Sequence, residues 1–71
     1  MASKERIEAI RVELREIDAE IPEKERQKQE ATSVGEIARI DDELTALRAR
    51  RTALQLELAN LEAAGEEVAP I

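Results

Sequence analysis

Six basic residues, Lys24, Arg26, Lys28, Arg48, Arg50 and Arg51, are the part of this sequence best suited to holding a small ligand. Arginine grips phosphate through two parallel N–H···O bonds, and lysine adds a compact positive charge. If the chain reverses, residues 24–28 lie near residues 48–51, and in an oligomer the six could converge across an interface to line a candidate site for an anionic, phosphate-bearing ligand. The same stretch holds Asp18, Glu20, Glu23, Glu25 and Glu30, so mutual neutralisation is the expectation favoured here. The acidic run Asp41-Asp42-Glu43 lacks the glycine and ligand spacing of a calcium loop and reads as a solvated helix face.

Other chemistry is excluded by what the chain does not contain. It has no cysteine and no histidine, which removes disulfides, Cys/His zinc sites and imidazole acid–base work. It has no Phe, Tyr or Trp on which a nucleobase could stack. There is no glycine-rich phosphate loop and no nucleophile motif. The expectation is therefore a protein that is not an enzyme and that carries no cofactor and no metal. A formal net charge of −6 argues against a nucleic-acid polymer as partner, since a phosphate backbone calls for a basic face. No stretch approaches the roughly 20 apolar residues of a membrane span. No signal-peptide apolar region follows Met1, so the expected location is cytoplasmic, without a membrane partner.

The elements that would position these residues follow from apolar spacing. Ile7, Ile10, Leu14, Ile17 and Ile21 step by three and four, a heptad a/d stripe with Ile7 at an a position. Ile37, Ile40, Leu44, Leu47, Leu54, Leu58 and Leu61 repeat the pattern, broken only by Arg51. Helix one is expected over about 3–31, with Ser3 as its N-cap, and helix two over about 34–64. Between them, Ser33 followed three residues later by Glu36 forms a capping box. Gly65 suits a helix C-cap, leaving 66–71 as an acidic, flexible tail whose last residues, Val68 to Ile71, could dock elsewhere. Pro22 interrupts helix one, and a kinked but continuous helix is favoured over a true break, because no capping residue precedes the proline.

The two stripes are mirror partners. When facing residues are required to have numbers that add to 68, Ile7 meets Leu61, Ile10 meets Leu58, Leu14 meets Leu54 and Ile21 meets Leu47. Each a position of one stripe then lies beside a d position of the other. Arg51 falls opposite Ile17, where it reads as a polar register-setting residue reaching Asp18, Glu20 or Glu13. Arg6 is brought near Glu57, Arg48 near Asp18 and Glu25, and Arg50 near Glu13 and Glu20. The fold expected is all-α: an antiparallel two-helix coiled-coil hairpin that assembles into a homo-oligomeric helical bundle, with a four-helix dimer the simplest closed form.

Two further surfaces are candidates for binding. Val12, Ala46, Ala49, Ala53, Leu56 and Ala63, accompanied by Ala9, Ala19 and Asn60, make a self-association surface of mostly small residues. Ile37, Ile40 and Leu44 face the polar segment 24–31: either lysine stems cover them, or they form an exposed patch, the candidate surface for a protein partner. The leading functional expectation is a homo-oligomeric interaction protein that presents helical surfaces to a protein partner. The alternatives are a sponge for anionic nucleotides, of the kind a phage counter-defence protein would be, and a direct inhibitor of a host enzyme. The likeness to small phage proteins is one of general architecture only.

Overall fold

The computed structural model describes the backbone of residues 2–67 and the side chains of residues 4–64. It contains two α-helices, α1 (Ala2–Glu30) and α2 (Val34–Glu67), packed side by side into a rod of 59 × 15 × 15 Å. The all-α hairpin expected from the two stripes is the architecture observed.

The reversal takes only residues 31–33. The Ala31 N–H donates to the Lys28 carbonyl at 3.2 Å, closing the last turn of α1. Ser33 then caps α2: its Oγ accepts the Glu36 N–H at 3.1 Å, while its carbonyl takes the first helical bond, from the Ile37 N–H, at 3.1 Å. That hydroxyl satisfies one of the donors a helix start leaves open.

α1 runs unbroken through Pro22. The proline is on the exposed side of the helix, as is Asp18, whose carbonyl loses its partner. Water can take up that carbonyl, so the lost bond leaves no buried orphan.

The helix ends depart from expectation by a few residues. Ser3 is already inside α1, which begins at Ala2, so it does not stand at the cap position. α2 passes through Gly65 and ends at Glu67, so residue 65 does not stop the helix. Glycine tolerates the left-handed conformation of a C-cap but does not impose it, and its helical cost of about 1 kcal/mol is small beside an established helix. Glu66 and Glu67 thus belong to α2 and not to a tail. Residues 68–71, with the docking role considered for them, lie outside the described residues.

Burial follows the stripes. Ile10, Ile17, Ile21, Ile40, Leu44 and Leu54 are buried, and Leu14, Ala31, Leu47, Leu58 and Leu61 pack against them. All of these occupy a or d positions, so the core is one continuous seam along the hairpin.

Candidate interaction surface

Among the described residues seven ion pairs cross between the helices, and their register is the strongest check on the pairing. The two residue numbers add to 63 for Arg6–Glu57 and Glu13–Arg50, and to 73 for Arg11–Glu62 and Glu25–Arg48. They add to 67 for Lys24–Glu43 and to 69 for Lys28–Asp41 and Asp18–Arg51. All bracket 68. The first four join flanking g to g and e to e positions, five residues either side of the seam sum, as antiparallel helices require. The last three have a different origin. Each starts from a basic residue inside the seam and reaches outward to an acid on the opposite helix.

Lys24, Lys28 and Arg51 are those seam residues. Their aliphatic stems lie along the apolar stripe while their charged ends leave it. Lys24 Nζ reaches Glu43 at 3.2 Å, Lys28 Nζ reaches Asp41 at 2.6 Å, and Arg51 Nη1 donates to Asp18 at 3.4 Å. Of the three acids considered for Arg51, Asp18 is the one it reaches.

Within one hairpin the six basic residues are divided: Lys28 and Arg48 line one groove, and Lys24 and Arg50 another. Lys24, Lys28 and Arg51 are paired as above, Arg48 with Glu25, Arg50 with Glu13, and Arg26 with its own helical neighbour Glu23. Alternating signs across a narrow two-helix rod bring every one of them beside a carboxylate. Arg48 takes Glu25 and leaves Asp18 to Arg51; Arg50 takes Glu13 and not Glu20.

At the open end of the hairpin four charges form a linked group. The Arg6 guanidinium donates twice to the Glu57 carboxylate, at 2.7 and 2.8 Å, and Arg50 Nε donates to Glu13 at 2.8 Å. Hydrogen bonds from Arg50 and Arg6 hold the Glu13 and Glu57 carboxyls below their ordinary range, and the same bonds raise both guanidiniums. Glu57 still pushes the Glu13 carboxyl upward, but the hydrogen bond from Arg50 outweighs it. Arg11–Glu62 was not anticipated, although its e-to-e placement could have been read from the register.

Ile37, Ile40 and Leu44 are mostly enclosed in the single hairpin. Ile40 and Leu44 are buried in the seam, and only Ile37 is half-exposed. The opposing residues are Lys28, Lys24 and Ala31, and the lysine stems cover the apolar groups while their ends turn to Asp41 and Glu43. Ile37 and Leu44 both line a shallow groove, together with Glu25, Lys28, Gln29 and Arg48.

The outer faces of the two helices are unlike. Val12 (46% exposed) projects from α1 and Leu56 (63%) from α2, both at f positions that point away from the seam. They therefore lie on opposite sides of the hairpin, and the single self-association surface drawn through both is in fact two. On α1 the outer b, c and f positions carry Glu5, Glu8, Arg15, Glu16, Glu23, Arg26 and Glu30. On α2 the outer positions from Thr45 to Ala63 carry no charge at all: Thr45, Ala46, Ala49, Thr52, Ala53, Leu56, Ala59, Asn60 and Ala63, all exposed. Thr45, Thr52 and Ala59 were missed as members of this face. The signal was the absence of charge, which a search for apolar residues passes over.

No helix among the described residues is long and apolar enough to cross a membrane, and no group of acidic side chains there is arranged to hold a metal ion. The fold and its surfaces define an antiparallel coiled-coil hairpin. Comparison with protein families, curated proteins and solved structures finds no match to this chain.

Proposed function

We propose that this chain is a non-enzymatic, cytoplasmic interaction protein that associates with itself and works by presenting helical surfaces to other proteins. The observation that carries this reading is the uncharged outer face of α2, exposed over Thr45 to Ala63 in a chain rich in charge elsewhere. A solvated coiled-coil face ordinarily carries Lys and Glu at its outer positions, as α1 does. Five turns without one charge, centred on a leucine that is 63% exposed, suit a face covered by another helix.

The test is the mass in solution. Size-exclusion chromatography with light scattering, from micromolar to near-millimolar chain, should show a concentration-dependent rise above the monomer mass. Leu56→Arg should remain monomeric over the whole range with its helical circular dichroism intact. A wild-type chain that stays monomeric throughout would remove self-association from the reading.

A further inference from the structure

We propose that a two-residue offset between the apolar stripes, and not the chemistry of the turn, makes this chain fold back on itself. The offset works against a competing state, an extended antiparallel dimer of continuous helices. It is independent of the outer face of α2 and of whatever covers that face.

The competing state is close at hand. Facing residues have numbers that add to 68, so the seam is centred on residue 34, at the turn. Two copies straightened into single helices and laid antiparallel about that point would set each α1 beside the other copy's α2. The seam contacts and the seven ion pairs described above would then be sought between copies instead of within one.

Nothing in the turn forbids this. Ala31, Thr32 and Ser33 include neither proline nor glycine, and no described residue has a positive φ. The reversal is marked by the bond from Ala31 to the Lys28 carbonyl and by the Ser33 cap. A continuous helix would replace both with ordinary helical bonds.

The stripes forbid it. The α1 stripe ends with Ile21, Lys24, Lys28 and Ala31, and at the same spacing it would next use positions 35 and 38. Gly35 and Ala38 stand there, both exposed, while the α2 stripe begins at Ile37 and Ile40. That start is two residues late. At 3.6 residues per turn, two residues rotate a helix by about 200°. In a continuous helix the second stripe would therefore face almost directly away from the first. If each α1 turned its stripe toward the other copy, each α2 would turn Ile40, Leu44 and Leu54, all buried in the hairpin, out to water. Coiled coils absorb insertions of three or four residues by local winding, because those lie near a whole turn. Two residues lie about as far from one as possible. A reversal at 31–33 removes the conflict, since each helix then turns its own stripe inward. A swap through a non-helical hinge would escape it too, but would add no helix and would carry the cost of association.

The test lengthens the junction with alanine-rich, helix-forming residues inserted after Thr32. A Ser33→Ala background keeps the cap from imposing the turn. Inserting none or seven residues preserves the offset, and inserting five cancels it, because five more complete a heptad. Each variant is first checked for wild-type helicity. Spin labels on Arg15→Cys/Thr52→Cys, two exposed positions on the same side of the seam, report the distance in a chain with no other cysteine. An excess of unlabelled chain restricts the signal to pairs within one chain. With none or seven inserted, the labels should stay within about 25 Å, two helix diameters. With five inserted, at high micromolar chain, they should separate to about 63 Å, the length of the intervening continuous helix. Short distances at all three lengths would show that closure within one chain decides. Long distances at five and seven alike would show that the length of helix decides, and a long distance with none inserted would give the decision to the Ser33 cap. Each of these three results overturns the proposal. None of them bears on whether hairpins associate, which is read from the mass in solution.

Discussion

Leu54 and Leu56 are two residues apart on one helix and serve different surfaces. Leu54 is buried against α1, whereas Leu56 is largely exposed. Leu54→Ala should cost about 2–5 kcal/mol, the range for emptying a packed leucine site. Leu56→Ala, measured in dilute solution where the chain is monomeric, should stay within about 0.5 kcal/mol of the wild type. Chemical denaturation of both variants checks the contrast, and a comparable loss at position 56 would show that it packs inside the hairpin. The linked charges at the open end make a second prediction. Glu13 and Glu57 have carboxyls depressed in the fold by their arginine hydrogen bonds. A depressed folded value stabilises above the unfolded carboxylate value and loses that stabilisation as pH falls through the folded one. A Glu13→Gln/Glu57→Gln double variant should therefore melt below the wild type at neutral pH, and the gap should shrink as pH falls through the carboxylate range. A gap independent of pH would mean that the loss does not come from the paired charges. At this scale the sequence already showed Arg6–Glu57, Arg50–Glu13 and Arg48–Glu25. It hid the fate of Lys24 and Lys28, since where a long flexible side chain ends depends on which acid lies nearest in three dimensions.

At the level of the elements, periodicity and one capping residue were enough to divide the chain. Ser33 marked the start of α2, and the bond from the Glu36 N–H to its Oγ is the physical form of that signal. Helix ends were less legible because fraying, capping and glycine are all small effects near a terminus, none decisive against the next turn. Pro22 in α1, and Gly35 and Gly65 in α2, are residues that disfavour helix. Since α1 is continuous at Pro22, Pro22→Ala should restore the bond to the Asp18 carbonyl and stabilise by up to about 3 kcal/mol. A loss of stability there would show that the helix needs the proline's geometry. Gly35 lies in the first turn of α2 without a positive φ, and a methyl group added to it meets nothing within 4 Å. Gly35→Ala should thus raise stability by about 0.5–1 kcal/mol through reduced freedom of the unfolded chain. Thermal melts of both variants against the wild type would check these signs.

For the whole molecule, the deciding quantity is how much apolar surface a two-helix rod can cover. A rod 15 Å across has no interior beyond its single seam, and Leu14, Leu47, Leu58 and Leu61 are only partly buried within it. A chain of 71 residues is short for an independent core, and small folds of this kind commonly gain stability by association. Anything that binds the folded state and not the unfolded one raises the melting temperature by mass action, and a second copy is such a ligand. The wild-type melting temperature should accordingly climb as chain concentration rises, while that of Leu56→Arg should stay level. The two proteins should melt alike at the dilute end, because position 56 takes no part in the seam. If instead Leu56→Arg melts lower at every concentration by the same amount, the leucine is supporting its own hairpin. The exposed face of α2 would then be a property of a monomer and not a contact between copies.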